Sequence, residues 1–191
     1  MTIKSCAYNA YIDTQKIKGF YCENERINNF FHEEAEELEK CGAGNTIIYY
    51  EDSTGEIFGF YTLSLRPLNI TELKKYDRFN KKFLSDFANS FEIEEFPALE
   101  IMRLGVSYDH RLKRIGASMI YDIYKQVIEL QIYYNLPINV IFIEALYEVT
   151  EFYEKLGFEF IKYSDEEHRL EKYPMLINTK KIIDIVYPES K

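Results

Sequence analysis

The sequence predicts an α/β protein with a mixed central sheet of about six to seven strands and helices on both faces. Two β-branched and aromatic runs flank a turn at residues 52–55, as in an antiparallel hairpin. Further along, a strand, a long amphipathic helix and an apolar strand follow one another in residues 98–143, an order typical of a parallel crossover. A hairpin and a crossover in one chain favour a mixed sheet.

Length and composition bound the class of protein. A chain of 191 residues can bury one core but is short for two ordinary domains, so we expect a single domain over residues 1–191. Its hydrophobic fraction of 47% and aromatic fraction of 16% exclude an intrinsically disordered chain. No apolar run approaches the roughly 18 residues of a membrane span, so we expect no membrane association.

Cysteine and histidine usage argues against disulfides and metals. The cysteine count is odd and contains no Cys-x-x-Cys pair, and the histidines are isolated at unrelated spacings. We therefore expect no metal and a reducing, cytoplasmic location. The residues concerned are Cys6, Cys22, Cys41, His32, His110 and His168.

The N-terminal half contains a predicted helix and the hairpin. Apolar residues recur at three- and four-residue steps from Glu25 to Glu39, which predicts an amphipathic helix that the glycines after residue 41 end. The hairpin strands are predicted at Thr46–Tyr50 and Ile57–Leu65, and Pro67 should stop the second strand. A helical insertion is expected after the hairpin, at residues 70–91.

The C-terminal half contains the crossover and the remaining strands. Residues 180–191 form an extension for which two alternatives stay open, an edge strand around Ile182–Val186 or a trailing end. The other predicted elements are a strand Ala98–Val106 opened by Pro97, a helix Ile115–Tyr134, a strand Ile138–Ile143, a short helix Val149–Leu156, and strands Phe158–Tyr163 and Met175–Thr179.

The junction between the third strand and the long helix is the best candidate for an anion site. The first backbone N–H groups of a helix point outward and carry the positive end of its dipole. Arg111, Lys113 and Arg114 add positive charge, and Gly116 lets the backbone approach a ligand. From these residues alone, a solvated basic loop with a packing glycine is the alternative.

This segment resembles motif A of the GNAT superfamily of acetyltransferases, a strand followed by Gln/Arg-x-x-Gly-x-Gly/Ala and a helix. Arg111 stands at the leading position and Gly116 at the last, while Arg114 replaces the middle glycine. The resemblance implies that acetyl-CoA binds here, with the strand backbone pairing with the pantetheine arm. The residues that it assigns to the coenzyme are Leu104, Gly105, Val106, Arg111, Leu112, Lys113, Arg114, Ile115, Gly116 and Ala117.

A second segment, Phe152-Tyr-Glu-Lys-Leu-Gly-Phe158, resembles GNAT motif B. The resemblance implies that Tyr153 lies beside the coenzyme sulfur and protonates the departing thiolate. A phenol, with an ordinary pKa of about 10, suits that role. The alternative is that Tyr153 is a core residue, as a tyrosine on an apolar helix usually is.

Three further segments, residues 20–30, 59–64 and 97–106, are similar to the acetyltransferase toxins of bacterial toxin–antitoxin systems. Members of that branch acetylate the α-amino group of aminoacyl-tRNA, so the resemblance implies tRNA and an antitoxin as partners. The net charge of −9 works against binding to nucleic acid, although the basic stretch at 74–82 is a local exception. An oligomer stays open.

The resemblance implies direct transfer of acetyl to a neutral amine, with a water chain or Glu100 as the base. Glu100 and Arg103 are the candidate substrate residues, but strand alternation puts them on opposite faces unless a bulge intervenes. Because Arg114 replaces a glycine, a second hypothesis is a catalytically silent GNAT fold that serves as a binding or regulatory module. An intact Tyr153 motif favours the enzyme.

Overall fold

The computed structural model describes residues 2–11, 13–69, 95–161 and 171–188. Its strands are β1 Ile3–Ala7, β2 Asn45–Glu51, β3 Ile57–Asn69, β4 Glu95–Val106, β5 Val140–Leu146, β6 Glu159–Phe160 and β7 Lys172–Asn178. They form one seven-stranded mixed sheet in the order β1-β2-β3-β4-β5-β7-β6, which confirms the predicted class.

Helices occupy the connections between the strands. The helix predicted from Glu25 forms, but one π-helical turn at Phe30–Glu34 interrupts it. The predicted helical insertion at residues 70–91 lies outside the described residues. The helices are α1 Thr14–Gly19, α2 Glu25–Asn29, α3 Ala35–Lys40, α4 Ile115–Tyr134, α5 Thr150–Lys155 and α6 Thr179–Val186, with short 3-10 turns at Tyr8–Ala10, Tyr108–His110 and Tyr147–Val149.

The chain packs as two compact units, and the expectation of a single domain stays a prediction. The first unit comprises residues 1–64 and 101–122. In it β2 pairs antiparallel with β1 and β3, which confirms the hairpin. Its core is aromatic, and the stacked rings of Phe31 and Phe60 have centroids 4.1 Å apart. This core fixes the hairpin against the helices that follow residue 24.

The second unit comprises residues 65–100 and 123–191. In it β5 pairs parallel with β4, Ala98 opposite Val140, and antiparallel with β7. The parallel pair confirms the predicted crossover. Residues 140–143 of β5 are all buried, as expected for a strand covered on both faces.

Three predictions, two about prolines and one about the C-terminal segment, are wrong. Pro67 does not stop β3, which continues to Asn69, and β4 begins before Pro97. Proline has a φ compatible with extended backbone, and it is tolerated where its missing N–H is not needed for strand pairing. The segment 182–186 is neither strand nor trailing end but part of α6, because Asn178 caps a helix by accepting from the N–H of Lys181 at 2.7 Å.

The remaining differences are at element boundaries. β5 begins and ends later than predicted, and α5 is shorter than predicted by one residue at each end. The first of these residues, Val149, belongs to the 3-10 turn that precedes α5. Two N-terminal elements, β1 and α1, were not predicted. The cap of α1 was readable, since Asp13 accepts from the N–H groups of Gln15 and Lys16 at 3.1 and 3.2 Å.

Candidate active site

The loop between β4 and α4 leaves a run of backbone N–H groups without acceptors. Its 3-10 turn ends where the N–H of Arg111 donates to the carbonyl of Tyr108 at 3.3 Å. The next paired N–H belongs to Ser118, which donates to the carbonyl of Arg114 at 3.0 Å. Within the part of the chain that the structure describes, the N–H groups of residues 112–117 have no hydrogen-bond acceptor. They lie at the N-terminus of a 20-residue helix, where an anion is favoured.

Two residues of this loop adopt a backbone conformation that favours glycine. Leu112 has φ 61° and Arg114 has φ 62°. The left-handed region costs a residue with a Cβ about 1–2 kcal/mol. Arg114 therefore takes a glycine-like backbone at the position where motif A has its glycine. Its side chain, like that of Leu112, is exposed.

The side chain of Arg111 contacts groups of the protein. Its guanidinium donates to the carboxylate of Glu23 and to the carbonyl of Cys22, and it lies 5.4 Å from the ring centroid of Tyr108. Lys113 donates from Nζ to the carbonyl of Asp109 at 3.0 Å. Of the three predicted cations, Arg111 is thus paired with a carboxylate, which reduces its charge toward a ligand.

The predicted strand residues Leu104, Gly105 and Val106 end β4. Gly105 is required by packing, because a Cβ there would lie 2.8 Å from the Phe60 ring and 2.9 Å from Ile27. Leu104 and Val106 are half-buried on either side of it. After them Ser107 donates its N–H to the carbonyl of Phe58 at 2.8 Å, which fixes the start of the loop on β3.

Tyr153 lies on α5 in the second unit and is 5% exposed. Its ring packs edge-to-face on Phe152 and Phe158, with centroids 5.0 and 5.5 Å apart. Burial raises the pKa of its hydroxyl, so the phenol stays protonated at neutral pH. In the described residues that hydroxyl has no hydrogen-bond partner, which leaves it free to donate to a ligand.

The turn after α5 depends on Gly157. The N–H groups of Leu156 and Phe158 both donate to the carbonyl of Tyr153 at 3.0 Å. Gly157 has φ 98°, and a Cβ there would lie 2.9 Å from Ile185. The glycine of the motif therefore serves the backbone turn and its packing.

The two predicted substrate residues have separate partners. Glu100 accepts from Arg66 at 3.3 Å, and the guanidinium of Arg66 lies 4.5 Å from the ring centroid of Phe142. Arg103 donates to the carbonyl of Met102 at 2.7 Å and lies 5.0 Å from the ring centroid of Phe30. The pairing of Arg66 with Glu100 was not predicted, because a single arginine on a strand belongs to no recognisable motif.

No group of three His, Cys, Asp or Glu side chains among the described residues could hold a metal ion. In the same part of the chain, none of the helices is both long and apolar enough to cross a membrane.

The mixed seven-stranded sheet with its parallel crossover is consistent with the GNAT fold. The chain is similar to a bacterial toxin of known crystal structure, with a TM-score of 0.80 and 18% identity over 100% of this chain and 98% of that one. It is also similar to AtaT complexed with acetyl-methionyl-tRNAfMet, with a TM-score of 0.75 and 18% identity over 96% and 99%.

A third similar structure is a mutant AtaT toxin bound to acetyl-CoA and to the C-terminus of the antitoxin AtaR, with a TM-score of 0.70 and 18% identity over 97% of this chain and 98% of that one. At this identity the likeness establishes the fold. No protein-family model matches the sequence, and no curated protein matches it significantly.

Proposed function

We propose that the chain is an acetyl-CoA-dependent N-acetyltransferase, and that its acceptor is the α-amino group of an aminoacyl-tRNA. The observation that carries the proposal is the run of unpaired N–H groups at residues 112–117, at the positive end of a long helix. Such a run suits a diphosphate, which has several oxygens to pair. The exposed side chains of Lys113 and Arg114 add charge beside it.

The residues present fit the coenzyme. Leu112 and Arg114 give the loop the glycine-like backbone that the motif otherwise obtains from glycine, and both side chains are exposed. The backbone of Leu104 and Val106 is proposed to pair with the pantetheine arm. The coenzyme would supply an acetyl group activated as a thioester.

Tyr153 is proposed to donate the proton that the departing sulfur requires. Its buried phenol is neutral and its hydroxyl has no partner in the described residues, as expected for a donor that waits for a ligand. The amine must arrive without its proton. Because Glu100 is already paired with Arg66, we assign removal of that proton to a water chain and give Glu100 contact with the acceptor.

The proposed acceptor and partner are supported by the structures with this fold. AtaT is known in complex with acetyl-methionyl-tRNAfMet, and a mutant of it is bound to the antitoxin AtaR. We propose tRNA and an antitoxin as partners of this chain by that likeness. The basic stretch at 74–82, which would help to bind RNA, lies outside the described residues.

The test is incubation of the protein with isotope-labelled acetyl-CoA and a mixture of aminoacyl-tRNAs, followed by mass spectrometry of the RNA. We expect labelled acetyl on the aminoacyl group. Deacylated tRNA, which has no α-amino group to accept acetyl, is the control and should stay unlabelled. Label found only on protein or on small amines would support acetyltransferase activity but reject aminoacyl-tRNA as the acceptor. Absence of any transfer, with or without coenzyme binding, would favour the silent binding or regulatory module.

A further inference from the structure

His110 is a buried polar residue immediately before the free amides. It is 6% exposed, and its ring centroid lies 4.4 Å from that of Phe58. Its Nε2 lies 3.6 Å from a carboxylate oxygen of Glu56. Its Nδ1 is buried and has no hydrogen-bond partner in the described residues. A buried polar atom without a partner is unfavourable, so packing alone would favour an apolar residue here.

His110 is a buried residue at the start of the exposed loop. Residues 111–114 are all exposed, while the residues on either side, His110 and Ile115, are buried. The exposed loop is thus held between two anchored side chains. Its left-handed residues Leu112 and Arg114 adopt conformations that persist only where the surrounding structure holds them.

The contacts of His110 tie this anchor to the hairpin. Glu56 lies just before β3, and Phe58 lies on it. The N–H of His110 donates to the carbonyl of Ser107 at 2.9 Å, so the turn and the side chain form one unit. The carboxylate of Glu56 is about half exposed, so its 3.6 Å contact with Nε2 contributes little to the stability of the fold.

We propose that His110 is a positioning residue for the coenzyme, and that its contact with Glu56 holds the amides of residues 112–117 in the conformation that binds the diphosphate. This inference rests on the proposed function. It gives the imidazole a role, through its Nε2, at a site where an aromatic hydrocarbon would pack at lower cost. Neither residue is proposed to touch the coenzyme itself.

The test compares Glu56→Gln, His110→Phe and the double variant with the wild type. Glu56→Gln keeps the size of an exposed side chain, and His110→Phe keeps the ring against Phe58, so both should fold. Asp52→Asn is the matched control, since it removes a carboxylate of the same hairpin that pairs with Lys4 instead. Calorimetry measures the Kd of acetyl-CoA, and NMR follows the amide shifts of residues 112–117 without ligand.

We expect each single variant to raise the Kd of acetyl-CoA about tenfold, the double variant to raise it no further, and the control to leave it unchanged. The amide shifts of residues 112–117 should move in Glu56→Gln at an unchanged melting temperature. A merely structural contact would lower the melting temperature and leave the Kd alone, and that result would overturn the inference, as would additive losses. Failure of the wild type to bind acetyl-CoA would instead reject the proposed function.

Discussion

The guanidinium of Arg111 donates to the carboxylate of Glu23, so the first cation of the loop is paired within the protein. Both side chains are more than two-fifths exposed, and this ion pair is therefore weak and screened by salt. Glu23 thus reduces the positive charge that the loop presents to an anion.

Removing that carboxylate should strengthen coenzyme binding. We expect Glu23→Gln to lower the Kd of acetyl-CoA about two- to threefold at low ionic strength, because Arg111 regains its charge toward the diphosphate. The gain should disappear at 0.5 M salt, which calorimetry can show. Glu25→Gln, a change of the same charge two residues away, is the control and should give no gain. Weaker binding of acetyl-CoA by Glu23→Gln would contradict this expectation. It would show that the ion pair with Arg111 supports binding by holding the loop in place.

The left-handed conformation of Arg114 makes its substitutions unequal. Arg114→Gly should leave the free energy of unfolding within about 1 kcal/mol of the wild type, because the strain that it relieves offsets the added flexibility of the unfolded chain. Arg114→Val should lower it by about 1–2 kcal/mol, since a β-branched residue adopts that conformation poorly. Urea denaturation measures both. Equal stability of the two variants would contradict the backbone argument.

Tyr153→Phe removes only a hydroxyl that has no partner in the described residues. We expect turnover to fall by about 10²-fold or more while the Kd of acetyl-CoA changes less than about twofold. The melting temperature at pH 7 should not fall, because no internal hydrogen bond of the described residues is lost. A variant with wild-type turnover would remove Tyr153 from the mechanism and return it to the core.

The hydrogen bonds of Glu51 in the hairpin turn should make the stability of the fold depend on pH. Glu51 accepts from the hydroxyl of Ser53 at 2.6 Å and from the N–H of Thr54 at 2.8 Å, and these bonds lower its pKa to about 2. Since the folded pKa is depressed, the carboxylate stabilises the folded state above pH 4.5, and that contribution is lost as pH falls toward 2.

Glu51→Gln should therefore lower the melting temperature at pH 7 and make little difference near pH 2. Thermal denaturation of both proteins across this range gives the comparison. Glu151→Gln, which removes an exposed helix ion pair with Lys155, is the control and should show a smaller effect at pH 7. A constant difference between wild type and Glu51→Gln at all pH values would disprove the linkage.

Secondary structure was predicted best where apolar residues recur at regular steps and their side chains are buried in the structure. The ladder of Ile115, Met119, Ile123 and Val127 predicted α4 with its observed bounds, and all four side chains are buried. The strand β1 was missed because its side chains are mostly exposed and give no alternation. The run 182–186 was expected as strand or trailing end, yet the cap at Asn178, one residue before the end of the predicted strand, makes it helical.

The residues of the candidate site stay a prediction. The motif resemblance named the loop and Tyr153, but it could not show that Leu112 and Arg114 adopt glycine's conformation, because that depends on buried anchors outside the motif. It also could not show that Arg111 pairs with Glu23 or that Arg66 pairs with Glu100. These pairs join residues 88 and 34 positions apart, and no local pattern connects them.

The central claim is that the amides of residues 112–117 hold the coenzyme diphosphate. Titration of ¹⁵N-labelled protein with acetyl-CoA, followed by NMR, tests it directly. The account predicts saturable binding with the largest amide shift changes at residues 112–117. Saturable binding with those amides unmoved, or no binding at millimolar coenzyme, would contradict it.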